Sequence, residues 1–192
     1  MEIRIASEKD AMDIQRIYAP YVEKTCITFE YDIPTVEQMR QRISHTLKRY
    51  PYLVAYCDDH IVGYAYASPL KERLAYSWAS ELSIYIDEDY HHQGIASELY
   101  RALLSLLKMM NIQTVYACIT HPNQKSESFH QKFGFHQNAL FSNCGYKFHQ
   151  WLDVIWMEKV IGDYGEVLDV IPFSSLSSKQ IEDCINKSYV HQ

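Results

Sequence analysis

Asp87-Glu88-Asp89-Tyr90-His91-His92-Gln93-Gly94-Ile95-Ala96-Ser97 is the stretch that decides the fold. Before it, Glu81-Leu82-Ser83-Ile84-Tyr85-Ile86 alternates in the manner of a strand. After it, Ile95, Leu99, Leu103, Leu106 and Met110 mark one apolar stripe at 3.6-residue spacing. The stretch therefore turns a strand into a helix N-terminus. Unpaired N–H groups and the helix dipole make such a terminus an anion cradle. Gly94 lets an anion approach the backbone closely, and Ala96 keeps the next contact small. No Gly-Lys-Ser/Thr follows, so this is not a nucleoside-triphosphate loop. The spacing of small residues also differs from a dinucleotide fingerprint, and the strand comes mid-chain.

Composition narrows the surroundings. The 192 residues suit one domain with an appendage, and 47% hydrophobic residues are ample for a core. A net charge of −6 argues against general nucleic-acid binding. No apolar run approaches the ~20 residues of a membrane span, and the N-terminus lacks signal-peptide regions. Five cysteines without a Cys-x-x-Cys pair argue against a disulfide frame or a zinc ribbon, which leaves a reducing cytoplasm as the expected location. His91, His92, Cys118 and His121 match no standard metal spacing, so no metal is expected.

Outward from the central loop, the pattern predicts a strand over residues 1–6. A helix capped at Ser7 carries Met12, Ile14, Ile17 and Tyr18 and stops near Pro20. Residues 25–31 are β-favouring but lie in a loop. A second helix starts at Pro34-Thr35 and ends before Tyr50-Pro51. Strands over 53–57 and 61–68 flank a hairpin turn at Asp58-Asp59-His60. A polar loop leads to the central strand, 78–86. A buried strand over 114–120 turns at His121-Pro122-Asn123 into a short helix that Gly134 ends. Two strands, 135–141 and 146–156, then join through a turn at Asn143-Cys144-Gly145. The order β-α-α-β-β-β-α-β-α-β-β implies a mixed sheet with helices on its faces. Residues 1–160 form this domain. Residues 161–192, with Gly162, Gly165, Pro172 and a Ser cluster, read as a tail with one short helix around 178–187.

The loop spacing resembles the Arg/Gln-x-x-Gly-x-Gly/Ala pyrophosphate loop of the GCN5-related N-acetyltransferases, with His91 where the family usually has Arg or Gln. The likeness covers residues 1 to about 160 and is strongest for the phosphinothricin and methionine-sulfoximine N-acetyltransferase branch. Thr25-Cys26-Ile27-Thr28-Phe29-Glu30, Tyr50-Pro51-Tyr52-Leu53-Val54-Ala55 and Arg73-Leu74-Ala75-Tyr76-Ser77-Trp78 carry it early in the chain. Pro122-Asn123, Ser126, His130 and Gly145-Tyr146-Lys147 carry it later. The resemblance implies an α/β acyl-CoA N-acyltransferase fold: a mixed, mostly antiparallel sheet splayed at its centre, with helices on both faces. It also implies acetyl-CoA as co-substrate, a small amino-acid-like acceptor and a homodimer.

Acetyl transfer needs a held cofactor arm, a neutral amine, a stabilised carbonyl oxygen and an acid for the departing thiolate. Glu81 matches the family's base position, with or without a relaying water. An ordinary Glu near ~4.3 is a weak base for an ammonium, so the role calls for a raised pKa or that relay. Ser83, Ile84, Tyr85 and Ile86 are expected along the pantetheine arm, much as an added strand would lie. His91, His92, Gln93, Gly94, Ile95, Ala96 and Ser97 are expected at the pyrophosphate. In the pattern Asn-x-x-Ser/Ala-x-x-x-Tyr, Asn123 and Ser126 fall on the cofactor contacts and His130 takes the Tyr place, a general-acid position. Asn123 equally suits a helix cap, and His130 equally suits a partly buried helix residue. For the acceptor, Lys71 and Arg73 suit a carboxylate. Tyr76 and Trp78 are candidate pocket walls, and Phe29 and Glu30 match a loop that closes the site from the partner subunit in the branch. A peptide or protein N-acetyltransferase and a non-catalytic acetyl-CoA-binding protein are the alternatives.

Overall fold

The computed structural model describes residues 1–187; residues 188–192 of the expected tail lie outside them. Among the described residues, one sheet contains β1 (Glu2–Ile5), β2 (Tyr52–Cys57), β3 (His60–Pro69), β4 (Ala79–Ile86), β5 (Thr114–His121), β6 (His136–Lys147) and β7 (Gln150–Val160). Their order is β1-β2-β3-β4-β5-β7-β6. The pairings are antiparallel except β4–β5, which is parallel. The helices are α1 (Ala11–Lys24), α2 (Val36–Leu47), α3 (Ile95–Met109), α4 (Gln124–Lys132) and α5 (Ser178–Lys187).

Strand alternation sorts the core into two layers. Val54 and Tyr64 meet Ile14, Ile17 and Tyr18 of α1 and Met39 and Ile43 of α2 on one face. Leu53, Ala65, Ala67 and Leu82 meet α3 on the other, where Leu99, Leu103, Leu106 and Leu107 are fully buried. Each such leucine contributes about 2 kcal/mol by leaving water. The expected stripe on α3 is therefore what holds this helix, and the loop at its N-terminus, against the sheet.

Two local expectations need correction. The first helix does not stop near Pro20; α1 runs through it to Lys24. Proline removes one helical N–H donor, but burial of Val22 and the Tyr21 hydroxyl on the Ile86 carbonyl (2.6 Å) hold the last turn in place. The second concerns Asn143-Cys144-Gly145, which is no hairpin turn. β6 continues through it to Lys147, with register shifts against β7 between Phe141 and Gly145. Asn143 takes a left-handed φ of +50°, and its N–H donates to the Asp153 carboxylate at 2.7 Å. The chain reverses instead at Phe148 and His149, with φ of +50° and +61°, the conformation of a two-residue hairpin turn. Asn-Cys-Gly is turn-like because those residues tolerate positive φ, which a bulge also demands.

The feature that makes a site is where β4 and β5 separate. They pair only at Ala79↔Thr114, Ser80↔Val115 and Glu81↔Tyr116. Beyond Glu81, β4 stays with β3 as far as Ile86↔Gly63, and β5 stays with β7 as far as His121↔Asp153. The Asp87 N–H turns to β3, donating to Val62 at 2.9 Å, while the N–H and C=O of Ile86 turn the other way, to the Tyr21 hydroxyl. Peptide groups alternate along a strand. The carbonyl of Leu82 and both backbone groups of Ile84 therefore face the opening, where no strand lies.

Residues 161–187 return to the same core. Phe173, Leu176, Ile181, Cys184 and Ile185 are buried with it, and α5 lies on α3.

Candidate active site

A cleft of about 1030 Å³ opens between the N-terminus of α3 and α4. The loop from His91 to Ser97 forms one wall, with Ile84 and Ile86 at the floor and Ser126, Phe129 and His130 opposite. Gly94 caps α3 at φ +82°, with no heavy atom within 4 Å of where a Cβ would stand. Glycine is needed there for its conformation rather than for space. The His91 ring turns back on β4, its Nε2 lying 3.2 Å from the Ile86 carbonyl and 3.3 Å from the Tyr21 hydroxyl. His91 thus staples the loop to the strand end, and the backbone is left to meet an anion. Arg101, Lys125, Lys132 and Lys159 also line the cleft. Sequence reasoning missed these cations because they come from three separate elements. Gly94→Val, which forces a β-branched residue into the left-handed region, is expected to raise the acetyl-CoA KM about tenfold while the acceptor KM holds; steady-state kinetics against each substrate checks it.

A narrow gap of about 70 Å³ continues from this cleft between the parted strands. Leu82 to Tyr85, Ala117 to Thr120, Asn123, Ser126 and His130 line it, and Ile84, Ser126 and His130 belong to both spaces. Asn123 caps α4, its Oδ1 accepting from the Ser126 N–H at 3.2 Å. His130 is only 4% exposed. Its Nδ1 lies 2.8 Å from the Ser126 carbonyl, so Nδ1 must carry the proton. Its Nε2 then accepts from the Tyr100 hydroxyl at 2.8 Å. Burial holds His130 below the ordinary imidazole range, and burial pushes the Tyr100 phenol far up, so both are neutral near pH 7. Tyr100 was not singled out in the sequence; its pairing with His130 arises across two elements.

Glu81 stands at the last paired position, half-buried, where the strands part. Burial raises its carboxyl above the ordinary range, and the Lys71 cation partly offsets this. Cys118 is exposed overall, and desolvation on its sheet side and the Glu81 charge, with Cys144 adding, raise its thiol above the ordinary range. The same carboxylate acts on the Tyr66 phenol, which burial has raised and a bond to Ser83 eases back. Lys71, Cys118 and Tyr66 thus share one electrostatic neighbourhood with Glu81.

On that face lies a second cavity of about 300 Å³, walled by Tyr18, Tyr52, Tyr64, Tyr66, Met39 and Arg42. Tyr52 and Tyr66 stack at 4.8 Å between centroids. Arg42 holds Glu30 by two bonds of 2.7 and 3.1 Å at its rim. Neither Arg42 nor Tyr66 was singled out beforehand, although tyrosines at alternate strand positions 64 and 66 were a legible signal of a shared face.

The remaining expected residues are spread around this centre. Lys71, Arg73 and Tyr76 are exposed on the β3–β4 loop. Trp78 donates its indole N–H to the Leu168 carbonyl at 2.8 Å. The Phe29 ring lies on Gly145, so close that a Cβ there would stand 2.1 Å from it. Lys147, 2% exposed, donates to the carbonyls of Val22, Thr25 and Thr28 at 2.8, 2.9 and 2.8 Å. It clamps the loop that carries Phe29 and Glu30. Among the described residues, no cluster of three His, Cys, Asp or Glu is placed to hold a metal ion, and no helix is long and apolar enough to cross a membrane.

Residues 3–156 match the family model described as an acetyltransferase (GNAT) domain. The chain belongs to the GNAT acetyltransferase family. A phosphinothricin N-acetyltransferase of Streptomyces viridochromogenes is 31% identical over 154 residues, 80% of this chain and 84% of that one. An L-methionine sulfoximine/L-methionine sulfone acetyltransferase of Pseudomonas aeruginosa is 28% identical, covering 81% and 92%. Among solved structures, a GNAT superfamily phosphinothricin acetyltransferase from Sinorhizobium meliloti in complex with acetyl-CoA superimposes with a TM-score of 0.84 at 29% identity, over 90% of this chain and 96% of that one.

As a GNAT acetyltransferase this protein uses acetyl-CoA as co-substrate. The splayed edge and the loop at Gly94 fit that molecule on their own chemistry. The unpaired groups of Leu82 and Ile84 suit the amides of an extended arm, as a strand would. The α3 N-terminus and the lysines around it suit phosphates. Where that edge begins, the chain places Glu81, a half-buried carboxylate whose pKa burial raises.

Proposed function

We propose that this acetyltransferase acts on the α-amine of a small amino-acid-like acceptor of the phosphinothricin or methionine sulfoximine type, with Glu81 as the base. The observation that carries this reading is the position of Glu81 at the splay, where burial raises its carboxyl while Lys71 stands near enough to affect it. Acetyl-CoA supplies the thioester carbonyl. Glu81, directly or through a water, removes the proton that the amine must lose before it attacks. The Ile84 N–H, free of any strand partner, is assigned to the carbonyl oxygen or the adjoining arm. The Nδ1–H of His130 is held by the Ser126 carbonyl, so His130 is assigned to positioning Ser126. The departing thiolate takes up the proton that Glu81 removed from the amine, and Asn123 and Ser126 are assigned to the arm beside it. Arg73 and Lys71 take the acceptor carboxylate, with Tyr76 beside them. The names of the relatives support an acceptor of this class.

Thiol release from acetyl-CoA, measured with L-methionine sulfoximine, phosphinothricin, free amino acids and short peptides, tests the reading. Turnover confined to peptides would overturn the small-acceptor assignment, and cofactor binding without any transfer would overturn the enzyme assignment of the pocket.

A homodimer completes the proposal. Leu140, Phe141, Phe148 and Trp151 on the β6–β7 hairpin are exposed, Trp151 by 64%. Such a patch on a soluble domain calls for cover, and it adjoins the Phe29–Gly145 contact. Sedimentation is expected to give twice the 22.6 kDa chain mass, and Trp151→Glu to shift the population toward monomer.

A further inference from the structure

The β3–β4 loop carries the exposed Lys71 and Arg73, yet before Trp78 its backbone bonds are local: Tyr76 N–H to the Arg73 carbonyl and Ser77 N–H to the Leu74 carbonyl, both 2.9 Å. Among the described residues, its side-chain anchors to the rest of the molecule sit at its far end, at Ser77 and Trp78. Both lead to the C-terminal segment, which lies beyond the family match at residue 156. The Trp78 indole N–H donates to the Leu168 carbonyl at 2.8 Å. Arg49 donates to the Ser77 hydroxyl at 3.0 Å, and its own carbonyl accepts from the Phe173 N–H at 3.1 Å.

The segment is itself held on both sides of Leu168. Before it, the Gly162 N–H reaches the Gln113 carbonyl at 3.1 Å, and the Tyr164 hydroxyl meets Thr114. After it, the Asn111 amide donates to the Asp169 carbonyl at 2.8 Å, and the Ile171 N–H to the Met110 carbonyl at 3.1 Å. Phe173 and Leu176 then bury themselves in the core. A strap so pinned presents the Leu168 carbonyl at a defined place, although Leu168 and Val167 have exposed side chains, 52% and 74%. Exposed apolar side chains flanking a bonded backbone show what the segment contributes here: its main chain.

We propose that the strap over residues 161–173 positions the acceptor-binding loop, with Trp78 as the positioning residue that transmits it to Arg73. This rests on the reading of Arg73 as the carboxylate contact. Trp78 then acts from outside the pocket. Its carbonyl accepts from the Gln113 and Thr114 N–H groups at 2.9 and 3.2 Å, and its indole bond to the strap fixes the orientation of the loop end, and so where the guanidinium five residues earlier can stand. An acceptor recognised by its carboxylate needs that cation held, because a mobile one must be ordered at each binding event.

The test uses the full chain. Trp78→Phe keeps the ring and removes the N–H. Asn111→Gly removes the bond to Asp169 while keeping the left-handed backbone of φ +66°, and lies away from the loop. Each is expected to raise the acceptor KM about fivefold, the scale of one lost hydrogen bond, with the acetyl-CoA KM unchanged. In an Arg73→Ala background the Trp78→Phe effect on acceptor KM should vanish. Two variants that lower melting temperature and leave acceptor KM untouched would overturn the proposal and make the strap a stabilising element alone. If Arg73→Ala does not change acceptor KM while Trp78→Phe does, the carboxylate reading fails and the strap's action on the loop stands.

Discussion

Glu81→Gln is expected to lower kcat/KM for amine acetylation by about 10²–10⁴-fold, the range a positioned general base contributes. The substitution keeps the side chain's shape and removes its charge and basicity, so acetyl-CoA affinity should hold, and its dissociation constant measured by titration is the control. The pH profile carries the sharper part of the expectation. A base works only when deprotonated, so wild-type kcat/KM should rise with pH through the Glu81 pKa. Burial places that limb above the ordinary carboxylate range. In Glu81→Gln the limb should disappear, leaving the rise due to the acceptor amine at higher pH. Lys71→Ala removes the cation that partly offsets the burial effect, so the limb should move further up. A limb that stays in Glu81→Gln would assign the proton to another group.

The second large effect is on stability. Lys147→Met is expected to cost about 3 kcal/mol, because three carbonyls in a buried setting lose a shared donor and each unsatisfied group is expensive. For a chain of this length that is a fall in melting temperature of roughly 10 °C. Burial holds the ammonium below the ordinary lysine range, so the charge itself costs free energy that the three bonds offset. Methionine keeps most of the stem's volume, so packing loss is small and the difference reports the bonds. The Val22, Thr25 and Thr28 carbonyls lie at the end of α1 and in the following loop. The variant should therefore also loosen Phe29 and Glu30, read as faster amide exchange over residues 25–30 by hydrogen–deuterium exchange. A variant with wild-type melting behaviour and exchange would mean that water replaces the ammonium there.

The legible and illegible parts of this site divide along a physical line. The α3 stripe, Gly94 and the strand before it were readable because their spacing is local and their period is that of the element they form. Glu81 was picked out by its place before that loop together with the family resemblance, and its role as base is the proposal that the Glu81→Gln kinetics test. The stop assigned at Pro20 and the turn assigned at Asn143-Cys144-Gly145 failed because local propensity competes with tertiary contacts: the Tyr21 hydroxyl on Ile86 holds the helix end, and the Asp153 carboxylate holds the bulge. Nothing in the residue pattern announces that Lys147 spends its charge on three carbonyls more than a hundred positions away.

From residue order alone came the strand-to-helix loop at Gly94, since hydrophobic period, glycine position and strand-to-helix punctuation act over a few residues. The acetyltransferase layout and the assignment of Glu81 came from the resemblance of the ordered motifs to a known family. Packing in three dimensions set which backbone groups of β4 are left unpaired, which nitrogen of His130 carries its proton, and that Trp78, at the end of the loop bearing Arg73, bonds the Leu168 carbonyl. Those outcomes depend on burial and on contacts between distant segments, and a side chain's partner across the fold is not written in its neighbours along the chain.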